Sequence, residues 1–276
     1  MLADVIRKIV PMRARQDLFV LASRIARTRA LIIALYYLLC GVVLKEVKLM
    51  PDGNCSVVFH GNEIIMPRDG VLAFIEIFRE SLYERFGSPR EGDIVVDVGA
   101  YVGMFTVKAA ELVGDRGLII AIEPEPRNLA FLERNVKTYK LNNVKIIRKA
   151  VLDKTTKAQL YLSNASACHS LSYHHQNYIE VEADTLDNIV SQLGLNHVDF
   201  VKIDAEGVEL EVLRGAERIL TAPEVKLSIA SYHDLRNSQP ELSSIVSYLA
   251  SRGFHPQIYK NSYVYATKQD YAAIVH

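Results

Sequence analysis

The stretch Asp-Ile-Val-Val-Asp-Val-Gly-Ala-Tyr-Val-Gly, residues 93–103, decides how the rest of the chain is read. Its first half is a short apolar run that reads as a buried strand over Ile94–Val98. Its second half is a glycine turn, and helical spacing begins at Met104. Gly99 and Gly103 allow a sharp turn and a close approach to a ligand, and the helix N-terminus behind them offers free N–H groups and a partial positive charge. Asp97 sits at the C-terminal end of the strand, the edge where open α/β sheets bind ligands. These features describe a nucleotide-type site.

Downstream, strand and helix patterns alternate, which predicts a mostly parallel sheet covered on both faces. The spacing predicts helices over 105–113 and 127–140, with Pro126 in the first turn of the second. Strands are expected over 117–122, 144–151, 159–162 and 178–182, then 198–203 and 225–230. Helices are expected over 186–193, 209–220 and 240–251. Two closing strands near 255–259 and 263–267 suit an antiparallel hairpin on a mixed sheet. The polar connection 163–177 is long, and loops of that length are often functional.

Upstream, residues 46–68 read as strand, turn and strand, and 70–86 return to helical spacing ending at Gly87. The expected division is an N-terminal helical and β-hairpin extension over 1–87 and a Rossmann-like α/β domain over 88–276. Residues 4–29 are basic and helix-like. The most apolar run, 30–44, has fifteen residues, fewer than the ~20 that span a bilayer. It reads either as a helix buried against the domain or a second subunit, giving a homo-oligomer, or as a peripheral membrane contact flanked by arginines.

The chain has 276 residues, half of them hydrophobic, which is ample for a core. Its 32 basic and 32 acidic residues balance, so charge gives no argument for a nucleic-acid partner. Cys40, Cys55 and Cys168 form no CxxC pair, which disfavours structural zinc or a disulfide framework and suits a reducing, cytoplasmic compartment. His174 and His175 read as a solvated loop pair, and no metal site is expected.

A dinucleotide turn needs Gly-x-Gly-x-x-Gly so that a pyrophosphate can approach the backbone, and here the middle position is Tyr101. NAD and FAD are therefore disfavoured. Glu123, twenty residues past Gly103 at the end of the next strand, is placed to accept ribose hydroxyls. Ribose without pyrophosphate points to S-adenosylmethionine. Asp204 and Glu206 emerge at the end of the 198–203 strand, on the same sheet edge as Asp97 and Glu123. Carboxylates gathered there repel one another unless they bind something. Glu209 and Glu211 fit better as helix N-terminal acids.

The run 96–103 together with Ile122-Glu-Pro124, Ala150-Val151 and the long 201–216 stretch resembles the FkbM-type methyltransferases, over about residues 90–268. The first motif is generic to class I S-adenosylmethionine-dependent enzymes, and the 204–216 stretch is far more specific. The chain departs from the family's usual residues at Tyr101, where Asn is common, and at Ser231, where Glu often stands. The resemblance implies methyl transfer to a hydroxyl of a small-molecule, sugar or glycolipid-type acceptor. It carries Asp97, Gly99, Ala100, Tyr101, Gly103, Glu123, Pro124, Ala150 and Val151 over as cofactor-binding residues. A hydroxyl acceptor needs a base within hydrogen-bond reach. His233 is the first candidate, with Asp204 or Glu206 the second, as base or as the group orienting the acceptor. Against catalysis stands a silent cofactor-binding module that uses its N-terminal helices for interaction.

Overall fold

The computed structural model describes residues 47–59, 62–163, 165–172, 176–231 and 240–269. The expectations for 4–44, for the histidine pair and for His233 lie outside these residues. Three strands open the described chain: β1 (Val47–Leu49), β2 (Cys55–Phe59) and β3 (Asn62–Met66). They pair antiparallel into a small sheet. The helical spacing of 70–86 becomes a chain of short turns: a four-residue helix α1 (Val71–Phe74), a wide turn over Ile75–Arg79 and a tight one over Leu82–Glu84. Tertiary contacts break the expected continuous helix. Ser81 is left-handed at φ 48°, and the Lys108 ammonium binds the Ile77 carbonyl at 2.7 Å and Glu84 at 2.8 Å.

The centre is a seven-stranded sheet. Its strands are β4 (Ile94–Val98), β5 (Leu118–Ile122), β6 (Val144–Ile147), β10 (Phe200–Ile203), β11 (Lys226–Ala230), β12 (Gln257–Tyr259) and β13 (Tyr263–Ala266). The order across the sheet is β12-β13-β11-β10-β4-β5-β6. Five strands run parallel and the closing β12–β13 hairpin runs antiparallel, as the apolar runs and the final turn predict. The chain winds from β4 out to β6, then crosses back to β10 beside β4. That reversal makes the β4/β10 boundary the topological switch point, where such sheets bind ligands.

The helices cover both faces. Helix α2 (Met104–Val113) starts behind Gly103 and stops at Gly114. Helix α3 (Pro126–Thr138) has Pro126 in its first turn and Glu125 as N-cap, whose carboxylate accepts the Asn128 N–H at 2.7 Å. The others are α4 (Leu186–Gln192), α5 (Glu209–Arg214) and α6 (Pro240–Ser251). Helix α5 ends earlier than expected because Asp187 captures the N–H groups of Arg218 and Ile219 and turns the chain away. Alternation along the strands splits the core. Val95, Phe105, Ile119 and Phe200 pack on one face with Ile64, Met66 and Tyr83. Val96, Ile120, Val201, Ile229, Val212 and Leu249 pack on the other.

The expected strand 144–151 divides in two. Residues 148–149 carry the chain out of the main sheet, and β7 (Ala150–Val151) pairs instead with β9 (Tyr178–Asp184). With β8 (Thr156–Tyr161) they form a separate three-stranded sheet. The small N-terminal sheet is tied down by Asn135 of α3, which is fully buried. Its amide bonds both the N–H and the carbonyl of Ile65 at 2.9 Å and the Val102 carbonyl at 2.8 Å. One side chain thus fastens β3, α3 and the glycine turn together.

Candidate active site

The four expected carboxylates lie along the C-terminal edge of the main sheet, but their environments differ. Asp97 is wholly buried. It accepts the Thr106 hydroxyl at 2.7 Å and pairs at 3.0 Å with Lys202, its direct neighbour in the β4–β10 register. Lys202 also donates to the Gly99 carbonyl at 2.7 Å and the Val98 carbonyl at 3.2 Å. Burial alone would drive its ammonium down, yet Asp97 and Asp204 hold it above the usual lysine range. This interaction set fixes the exit of β4. Asp97 therefore shapes the turn from beneath.

The glycine turn is shaped by its protein neighbours. A Cβ on Gly99 (φ 71°) would lie 1.9 Å from the Asp204 carbonyl oxygen, and one on Gly103 (φ 84°) would lie 2.5 Å from the Leu132 side chain. At both glycines the missing side chain lets other parts of the protein pack close, the Asp204 backbone at Gly99 and Leu132 at Gly103. The N–H groups of Gly99 and Ala100 both donate to the Ile122 carbonyl.

Tyr101 takes the left-handed conformation, with φ 53°. Its hydroxyl lies 2.5 Å from the Ser166 hydroxyl, and its ring fills the space beside Gly70. Ser166 in turn binds Asp69 twice, through its N–H at 2.8 Å and its hydroxyl at 2.7 Å. The residue that departs from the usual family turn thus ties the turn to the 165–172 loop and to the segment ahead of the main sheet.

Glu123 closes β5 and is 6% exposed. Its carboxylate accepts N–H groups from Tyr101 at 2.9 Å and Glu125 at 3.0 Å, with the Asn128 amide at 3.5 Å. Burial pushes its carboxyl up to about 7 against the pull of those donors. Pro124 follows it, half-buried, and Ala150 and Val151 are buried in β7.

On the other side of β4, Asp204 and Glu206 leave β10 half-buried. The Tyr83 hydroxyl donates to Asp204 Oδ2 at 2.6 Å. Glu206 is left-handed at φ 54°, and its carbonyl accepts the Ser170 hydroxyl. Glu209 is fully buried, and its carboxylate takes the N–H groups of Ala205 and Gly207 at 3.0–3.2 Å. It therefore serves as the expected N-terminal acid and holds the Asp204–Gly207 loop.

The residues whose importance the sequence conceals are Lys202, Tyr83, Thr106, Asp69 and Ser166. Only Lys202 carried a signal, a charge inside an apolar strand beside a buried aspartate. Among the described residues, no cluster of three or more His, Cys, Asp or Glu could hold a metal ion, and no helix is long and apolar enough to cross a membrane.

The donor set fits a cofactor of one kind. Glu123 offers acceptors to a ribose diol, Asp204 and Glu206 favour positive charge nearby, and the cation at the turn, Lys202, is already engaged by Asp97. A sulfonium nucleoside, which brings both a ribose diol and a positive charge, suits that set.

Known proteins agree. The model of the FkbM methyltransferase domain matches residues 97–256. The 31-O-demethyl-FK506 methyltransferase FkbM of Streptomyces tacrolimicus is 26% identical over 241 residues, covering 76% of this chain and 88% of that protein. The 2-O-methyltransferase NoeI of Sinorhizobium fredii is 23% identical over 176 residues, covering 57% and 71%. A solved FkbM methyltransferase from Methylobacillus flagellatus KT shares the fold with a TM-score of 0.50 at 17% identity. It covers 96% of this chain, which spans 60% of the solved one. With a match over more than half its length, the chain belongs to the FkbM methyltransferase family, and it is an S-adenosylmethionine-dependent methyltransferase.

Proposed function

We propose that this protein methylates a hydroxyl oxygen of a small-molecule, sugar or glycolipid-type acceptor. The observation that carries this reading is the pairing of two unlike carboxylate sites across the switch point. Glu123 stands beside the glycine turn on one side of β4, and Asp204 with Glu206 stands on the other. The names of two relatives, an O-demethyl-FK506 methyltransferase and a 2-O-methyltransferase, support oxygen as the methylated atom.

On this reading Asp97, Gly99, Ala100, Tyr101 and Gly103 form the cofactor turn, Glu123 binds the ribose hydroxyls, and Pro124 with Ala150 and Val151 completes the cradle. When bound, S-adenosylmethionine supplies a methyl group already activated by positive sulfur. The protein aligns the acceptor oxygen with that methyl, excludes water and takes up the hydroxyl proton. His233 or Asp204 receives the proton as the new carbon–oxygen bond forms and the carbon–sulfur bond breaks, and Glu206 orients the acceptor.

The test is transfer of labelled methyl from S-adenosylmethionine into a hydroxyl-bearing extract, followed by identification of the product. A labelled ether is the expected result. Label on nitrogen or carbon would overturn the O-methylation reading, and tight cofactor binding with no transfer would favour a silent module.

A further inference from the structure

Tyr83 lies ahead of the residues matched by the family model, in a tight turn that periodicity assigns to the end of a long helix. Its surroundings are unusually exact for such a position. The side chain is 2% exposed, and its ring meets Phe105 and Tyr263 edge-on at centroid distances of 5.6 and 5.9 Å. The Lys202 ammonium lies 5.3 Å from its ring centroid. Its chain neighbours are tied down on both sides: the Tyr265 hydroxyl binds the Leu82 carbonyl, and Lys108 binds the side chains of Ser81 and Glu84. A ring held on all sides leaves its hydroxyl one direction, and that direction ends 2.6 Å from Asp204 Oδ2. Burial and the neighbouring Asp204 raise the phenol well above its usual range, so it keeps the proton that it donates to Asp204.

We propose that Tyr83 is a positioning residue for methyl transfer, supplied by the segment ahead of the family domain, which fixes the Asp204 carboxylate toward the acceptor. This rests on the reading that Asp204 takes or directs the acceptor proton. Lys202 extends the arrangement: it binds Asp97 and the Gly99 carbonyl while lying against the Tyr83 ring. The segment ahead of the main sheet, the cofactor turn and the acceptor-side carboxylate are thereby set by one buried group of side chains.

The experiment is a double-mutant cycle on the full chain with Tyr83→Phe and Asp204→Asn. Turnover, acceptor KM and S-adenosylhomocysteine affinity are measured, and a thermal melt reports the fold. Tyr83→Phe keeps the ring and should lower kcat about tenfold, the effect of one hydrogen bond to a charged group, with cofactor affinity unchanged. On the Asp204→Asn background the same change should have almost no further effect. A Tyr83→Phe enzyme with wild-type kcat, or losses that multiply independently, would overturn the proposal alone. Wild-type turnover in Asp204→Asn would instead overturn the role of Asp204, and the proposal with it. If Tyr83→Phe melts at assay temperature, 3-fluorotyrosine at position 83 gives a second readout. Its fluorine resonance should move on Asp204→Asn substitution, and an unmoved resonance would refute the contact.

Discussion

Asp97 and Glu123 close adjacent strands, are both buried, and look alike in the sequence as acids at strand ends. The difference lies in their partners. Asp97 has a cation, Lys202, and a hydroxyl, Thr106. Glu123 has N–H donors, and burial raises it to about 7. A buried carboxylate beside its own cation has its charge compensated within the protein. One held by dipoles at a ligand edge is poised for an outside donor. The lesson is to ask of every strand-end acid which cation, if any, the neighbouring strand brings to it.

The largest effect should come from breaking the compensated pair. Lys202→Met leaves Asp97 buried and uncompensated, which costs about 3–5 kcal/mol, measurable by urea unfolding. Adding Asp97→Asn should recover much of that loss. A single Lys202→Met that unfolds like the parent would erase the distinction between the two carboxylates.

Glu123→Gln should act on binding while sparing the fold. Losing hydrogen bonds to a charged acceptor is worth about 1.5–3 kcal/mol, so cofactor affinity should fall roughly 10- to 100-fold. Its effect on stability should have the opposite sign to that of Lys202→Met at alkaline pH. A carboxyl raised from 4.5 to about 7 favours the fold when protonated, so that contribution is lost as pH rises through about 7. Glu123→Gln removes this loss, and its melting temperature should change less than the parent's over that window.

The smallest effect belongs to Tyr101→Phe, which deletes the hydroxyl contact to Ser166 and leaves the left-handed turn in place. A loss of about 1 kcal/mol by thermal melting is expected. A much larger drop in cofactor affinity than in stability would mean that Tyr101 meets the ligand directly.

Much of this was legible in the sequence. Apolar runs of strand length announced the sheet, the strand ends announced the acidic edge, and the 201–216 stretch announced the family. Local patterns failed where distant groups intervened. Periodicity over 70–86 could not reveal that Lys108 and a left-handed Ser81 break the helix. The strand pattern of 144–151 could not reveal that its last two residues join another sheet. Nothing near Asp97 in the sequence signalled its cation either, because Lys202 comes from a strand far along the chain. Tyr83 and Ser166 gave no local signal, since their partners lie 121 and 97 residues away in the sequence.

The most direct test of the central claim is calorimetric titration of S-adenosylmethionine into the parent and Glu123→Gln proteins from about pH 6 to about pH 8. Ribose hydroxyls donate to an ionised carboxylate, so parent affinity should rise by up to about tenfold per unit below 7 and level off above it. The Glu123→Gln protein should bind more weakly, with no such rise. Equal affinity in the two proteins across that range would contradict the assignment of Glu123 to the cofactor.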